Sequence, residues 1–139
     1  MILVDASVAV QWLVPELGAE QSELPLGRSD LTAPGLLQLE VGNALRRKVA
    51  SGDITLQQAD DGFRLVAANV DLRLPSQTLL SRALRIALDM AHPIYDCLYL
   101  ALAEAADAQL YTRDQEFAAR AHRIALGHLI ASWPPVVLP

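Results

Sequence analysis

Four carboxylates stand where carboxylates are costly. Asp5 ends the apolar run Ile2-Leu3-Val4 and is followed by Ala6-Ser7. Asp114 comes two residues after Tyr111-Thr112. Glu40 interrupts the apolar stretch Leu36-Leu37-Gln38-Leu39-Glu40-Val41. Asp96 lies in Ile94-Tyr95-Asp96-Cys97-Leu98-Tyr99-Leu100-Ala101-Leu102-Ala103, which is apolar nearly all round. A helix that is apolar all round is a buried one, and an acid within it is expensive unless paired or bound to metal. Each acid alone has a plainer reading. Asp5, Asp96 and Asp114 suit helix caps or first turns, and Glu40 suits a solvent-facing helix position. Together they point to one shared task. Converging carboxylates repel, and a hard divalent cation relieves that repulsion. Mg²⁺ takes oxygen ligands and keeps waters that a substrate phosphate can replace. His92, His122 and His128 have no zinc-like spacing. His92 reads as a turn residue beside Pro93, and Cys97 as a small core residue.

The elements that must carry these acids follow from pattern. Ile2-Leu3-Val4 suits a buried strand of a parallel sheet. From Ser7, the spacing of Val8, Val10, Leu13 and Val14 predicts a short helix stopped by Pro15. Gly18 to Ser29, with Pro25 and Gly27, reads as a loop holding at most one or two helical turns. Leu31-Thr32-Ala33 reads as a strand. Leu36 to Ala50 reads as a helix with Leu37, Val41, Ala44, Leu45 and Val49 as its stripe. Thr55 to Gln58 has capping-box spacing and opens a helix to about Asn69. Val70 to Leu74 alternates like an exposed strand, and Pro75-Ser76 opens a helix through Met90. Ile94 to Ala106 is a compact apolar helix, Gln109 to Thr112 a strand and Asp114 to His122 a helix. Leu126 to Ser132 is expected to be a last strand, and Pro134, Pro135 and Pro139 keep the tail out of any sheet centre. Alternating strands and helices predict an α/β class built on a mostly parallel sheet. In such sheets ligands bind beyond the carboxyl ends of the strands, where Asp5 and Asp114 both arrive.

Composition sets the bounds. The chain has 139 residues, 53% hydrophobic and 19% charged, which suits a single domain, 1–139, with a full core. Its formal charge of −5 excludes a protein that holds nucleic acid by bulk charge alone. It does not exclude a nucleic-acid substrate, because a carboxylate site contributes negative charge of its own. One cysteine, Cys97, allows no intrachain disulfide and fits a reducing cytoplasm. No signal-peptide pattern or membrane-spanning apolar run is present, so a cytoplasmic location away from membranes is expected. No internal repeat or low-complexity segment is seen.

Four segments, in order, carry a resemblance. They are Val4-Asp5-Ala6-Ser7, then Leu39-Glu40-Val41-Gly42-Asn43-Ala44-Leu45, then Tyr95 to Ala103, then Leu110-Tyr111-Thr112-Arg113-Asp114-Gln115-Glu116-Phe117. On these the sequence resembles PIN-domain nucleases, specifically the VapC-type toxins of bacterial toxin–antitoxin pairs, over nearly the whole chain. The resemblance implies a PIN-like three-layer α/β/α sandwich. It implies Asp5, Glu40, Asp96 and Asp114 around Mg²⁺ or Mn²⁺, with Ser7, Asn43 and Thr112 as polar supporters. The plainer reading of Ser7 and Thr112 is local capping. Asn43 is three residues from Glu40, so the two share a helix face that Arg47 continues. Tyr99, three beyond Asp96, reads equally as a core ring with a wet hydroxyl.

The implied chemistry is hydrolysis of an RNA phosphodiester, leaving a 5′-phosphate and a 3′-hydroxyl, on a substrate expected to be single-stranded. Arg46, Arg47 and Lys48 are the densest basic cluster and the expected RNA contacts, with Arg82, Arg85, Arg113, Arg120 and Arg123 as extensions. Also implied are a homodimer and a cognate VapB-type antitoxin whose C-terminal segment occupies the active-site groove. Family members usually carry a well-formed second helix, and here Gly18 to Ser29 is short and broken. A response-regulator receiver would need a lysine after a late strand, but the single lysine, Lys48, is mid-helix. A haloacid-dehalogenase-type phosphatase would show Asp-x-Asp, and Ser7 takes the second place. The remaining alternative is a catalytically silent PIN-fold module binding RNA or protein, against which the intact four acids argue.

Overall fold

The computed structural model describes residues 1–13 and 28–131. Within them the chain runs β1 (Ile2–Val4), α1 (Ala6–Leu13), β2 (Leu31–Pro34), α2 (Leu36–Ala50), α3 (Leu56–Asn69), β3 (Asp71–Arg73), α4 (Gln77–Met90), α5 (Ile94–Ala106), β4 (Gln109–Tyr111) and α6 (Gln115–Arg123). A turn of 3₁₀-helix, Gly127–Leu129, follows. The four strands form one sheet in the order β3-β2-β1-β4, every pairing parallel, and the six helices flank it. The expected α/β class and parallel sheet are what the structure has.

Position in the sheet explains each strand's composition. β1 pairs on both sides, Leu3 with Thr32 of β2 and with Leu110 of β4. Leu3 and Val4 are fully buried, so a continuous apolar run is what this place requires. β3 is the edge strand, and Asp71 and Arg73 face solvent around Leu72, which accounts for its alternation. Parallel neighbours need crossovers, and helices supply them.

The helix starts are built locally. Thr55 and Gln58 form a reciprocal capping box, and the Ser76 hydroxyl accepts from Leu79 N. α4 ends at Ala91, which adopts a left-handed φ of 53°. In α5 every residue from Cys97 to Ala103 is buried, because the helix packs against α4 and against β2 and β4. Apolar residues from all these elements make one core, with Tyr99 and Phe117 its largest fully enclosed side chains.

One expectation is corrected. The described part of the expected Leu126 to Ser132 strand, through Ala131, is not a strand: Gly127–Leu129 is 3₁₀, and only Ile130 makes an isolated parallel bridge, to Leu110. The chain turns at Ala125, φ 63°, and meets β4 through Ala131 N donating to Leu110 O at 2.9 Å and the Gln109 side chain donating to His128 O at 3.4 Å. The end of the first helix at Val14 and Pro15, most of the Gly18 to Ser29 loop, Ser132 and the proline tail lie outside the described residues. No helix among the described residues is long and apolar enough to cross a membrane.

Candidate metal and nucleic-acid site

The strand order changes direction between β1 and β4. From β1 the chain builds outward through β2 to β3, and it returns to the other side of β1 only with β4. The crevice beyond the carboxyl ends of strands at such a point is the place where parallel α/β sheets bind ligands. Asp5 leaves β1 there, its N–H donating to Tyr111 O of β4 at 3.3 Å. The Asp5 Oδ1 accepts from Ser7 Oγ at 2.5 Å and from Val8 N at 3.2 Å. Ser7 Oγ in turn accepts from Arg113 N at 2.8 Å and stands 3.5 Å from Thr112 Oγ1. Thr112 is buried and its hydroxyl accepts from Asp114 N at 3.1 Å. One hydroxyl pair therefore stitches the two strand ends together. Ser7 lies inside α1 and caps nothing itself; it is Asp5 that accepts from Val8 N at the start of that helix, and the Ser7 hydroxyl bonds the Asp5 carboxylate and Arg113 N.

Glu40 comes to this edge from α2 and Asp96 from the first turn of α5. Glu40 Oε1 accepts from the Tyr99 hydroxyl at 2.7 Å. Asp96 Oδ2 lies 2.6 Å from His92 Nε2. Three of the acids are close enough for their charges to bear on one another. Burial pushes Asp5 up to about 6, the Ser7, Thr112 and Val8 hydrogen bonds pull it back, and the Asp96 charge adds to the rise. Burial also raises Glu40, the Tyr99 hydrogen bond lowers it, and the charges of Asp96 and Asp5 raise it further. Tyr99 is held protonated, first by burial and then by the charge of Glu40. Asp114 is placed differently. It is exposed and its Oδ1 caps α6, accepting from Phe117 N at 3.0 Å. It touches the cluster through Thr112 rather than through its carboxylate.

Glu40, alone of the four acids, lines a cleft of about 510 Å³, together with Ser7, Gln11, Asn43, Arg47, Lys48 and Arg113 among others. The expected basic cluster is split by the helix. Arg47 and Lys48 wall the cleft, whereas Arg46 donates to Asn43 Oδ1 at 3.2 Å and lines a separate groove with Leu56 and Phe63. Arg82 pairs with Glu104 at 2.7 Å, Arg85 with Asp89 at 3.6 Å and Arg120 with Glu116 at 2.8 Å. Of the proposed extensions, Arg113 borders the cleft, and Arg123 lines another hollow with Asp89 and Ile124.

The donor set suits a hard cation. Among the described residues no three Asp, Glu, His or Cys side chains form a ready-made cage. Mg²⁺ does not need one, since it is usually held by one or two carboxylates and keeps several waters. Asp5 and Glu40, both raised above the ordinary carboxylate range chiefly by burial, with Glu40 at the wall of an open cleft, meet that requirement. His92, read from the sequence as a turn residue, is the polar partner whose bond to Asp96 sequence reasoning missed; the signal was its place four residues before that acid. Tyr99, weighed as a neighbour of Asp96, gives its hydroxyl to Glu40 instead.

Comparison with known proteins follows the same lines. The model of the PIN domain matches residues 2–123. The chain is 37% identical over 121 residues to Ribonuclease VapC1 of Mycobacterium tuberculosis, covering 84% of this chain and 88% of the relative. The same match is found in two strains of that organism. Among solved structures, PAE2754 from Pyrobaculum aerophilum superposes with a TM-score of 0.70 at 23% identity, over 92% of this chain and 93% of that one. A toxin–antitoxin complex from Klebsiella pneumoniae superposes with a TM-score of 0.64 at 15% identity, over 84% and 88%. These two share the fold.

Proposed function

The chain belongs to the PIN-domain family, in the branch of the VapC ribonucleases, and from that premise we propose that it is a metal-dependent endoribonuclease acting as the toxin of a toxin–antitoxin pair. The observation that carries this reading is the approach of Asp5, Glu40 and Asp96, from three separate elements, to the switch point of the sheet, where the Asp96 charge bears on Asp5 and on Glu40 and the Asp5 charge bears on Glu40.

Asp5, Glu40 and Asp96, with Asp114 at the rim, would hold Mg²⁺ or Mn²⁺. Bound there, the ion would lower the pKa of a water and stabilise charge developing on the phosphate. The protein's own groups do the rest. Ser7 and Thr112 fix the strand ends, so the Asp5 carboxylate keeps one orientation. Tyr99 fixes one oxygen of Glu40. Arg47, Lys48 and Arg113 give the cleft a cationic wall for the RNA backbone, and Asn43 supplies an amide beside them. Aromatic side chains are only 5% of the chain, so base stacking has few rings to use and phosphate contact dominates. Such a cleft favours single-stranded RNA, whose backbone can bend into it. The acids are all present, and no observation favours a silent binding module.

The reading includes a cytoplasmic homodimer and a partner antitoxin that fills the cleft. Sedimentation of the purified toxin should give twice the monomer mass, and a monomer at micromolar concentration would remove the dimer. The nuclease itself is tested by incubating the protein with single-stranded RNA in Mg²⁺ and in EDTA. Cuts leaving 5′-phosphate ends, present only with Mg²⁺, are expected. Cuts that persist in EDTA would refute the metal-dependent mechanism.

A further inference from the structure

His92 precedes Asp96 by four residues, in the turn between α4 and α5, and its Nε2 stands 2.6 Å from Asp96 Oδ2. Its side chain is only 12% exposed, and its ring packs against Phe117 with centroids 5.1 Å apart. On its other side Arg120 of α6 approaches. Arg120 Nη1 donates to Ala91 O at 2.9 Å and lies 3.5 Å from His92 Nδ1. Arg120 Nη2 donates to Glu116 Oε1 at 2.8 Å. A guanidinium can only donate. Nδ1 is therefore the accepting nitrogen of the ring, and Nε2 carries the hydrogen that the Asp96 carboxylate accepts. That carboxylate is then tied by one oxygen, Oδ2, leaving Oδ1 to a cation.

We propose that His92 is a positioning residue for Asp96: a chain from Glu116 through Arg120 to His92 holds the imidazole in one tautomer and orientation, and the imidazole holds the metal-binding carboxylate. This rests on the nuclease reading above. Partners that orient metal-ligating carboxylates matter to affinity nearly as much as the ligands do, and removing one costs about 10–100-fold in metal affinity or activity. The anchoring comes from α6, an element that contributes no acid of its own to the three-carboxylate cluster. It explains why a cationic side chain on α6 points at a backbone carbonyl and a ring rather than at solvent.

The test reads Mn²⁺ bound to the purified full chain by electron paramagnetic resonance, with no RNA present. Four variants are compared. His92→Phe keeps a ring against Phe117 but removes the donor. His92→Gln keeps an N–H of similar reach. Arg120→Met leaves His92 in place but unlocks its ring. Asp96→Asn removes the ligand itself. Circular dichroism confirms that each is folded. We expect His92→Phe to weaken Mn²⁺ about 10-fold or more, His92→Gln to recover most of that loss, and Arg120→Met to weaken binding in the same direction by less. Wild-type Mn²⁺ affinity in His92→Phe, with Asp96→Asn deficient, would overturn the role of His92 alone. A His92→Gln variant as weak as His92→Phe would overturn it too, because the donor would then not be what matters. Unchanged affinity in Asp96→Asn would overturn both this inference and the metal site on which it rests.

Discussion

Asp5 accepts from Ser7 Oγ and Val8 N, and Thr112 also pulls its carboxyl down, yet burial still pushes it up to about 6. The folded protein therefore binds that proton more tightly than the unfolded chain, whose ordinary value is 3.8. The sign follows. Without metal, this group favours the fold at low pH, and that contribution is lost as pH rises from about 4 through about 6. Asp5→Asn removes the conflict, so the metal-free variant is expected to be more stable than wild type at pH 7.5. A gain of about 1–2 kcal/mol, smaller than the full shift implies because the residue is only partly enclosed, is the scale to expect. The gain should vanish near pH 4, and Mg²⁺ should no longer raise the melting temperature of the variant. Thermal melts at the two pH values, with and without Mg²⁺, check this, and a less stable metal-free variant at pH 7.5 would contradict it. Such an acid was visible in the sequence because it broke an apolar run at a strand end. The bond from Tyr99 to Glu40 was not, because the two residues are 59 positions apart and nothing local encodes their meeting.

At the scale of elements, α2 sorts its charges by face. Glu40, Asn43, Ala44 and Arg47 recur at three- and four-residue steps and share the cleft, whereas Arg46 turns to the groove against α3. Three consecutive basic residues look like one patch in a sequence, but the 100° step between neighbours on a helix cannot point all three the same way, and here Arg47 and Lys48 reach the cleft while Arg46 does not. Arg47→Gln is therefore expected to raise KM for RNA several-fold and to flatten the dependence of log affinity on log salt by about 0.7, one phosphate contact on a single strand. Arg46→Gln should leave both nearly unchanged. Equal effects of the two substitutions in a salt titration of RNA binding would mean that the cleft is not the binding surface. Helix starts were readable because Thr55, Ser76 and Asp114 cap their own helices through bonds three residues long. The misread strand at Leu126 to Ser132 failed for the opposite reason. Its apolar pattern suits a strand, but pairing depends on where β4 lies, and the turn at Ala125 brings only Ile130 into register.

Across the whole molecule, what matters is the order of the strands. The sequence shows strands alternating with helices, and from that a parallel sheet follows. It does not show that β4 lies beside β1, and that adjacency is what brings Thr112 to the locally bonded pair Asp5 and Ser7. The resemblance of four short segments to PIN-domain nucleases filled that gap, and the topology supplies its physical reason. The acids lie in separate segments of the chain because each is contributed by a different element to one crevice.

The measurement that bears most directly on this account is cleavage of single-stranded RNA by Asp96→Asn beside wild type, each in Mg²⁺ and in EDTA. The account predicts cutting by wild type in Mg²⁺ only, and a loss of at least about 100-fold in the variant with circular dichroism and melting profile retained. Full activity in Asp96→Asn would contradict it, because the carboxylate cluster would then not be the centre of the chemistry.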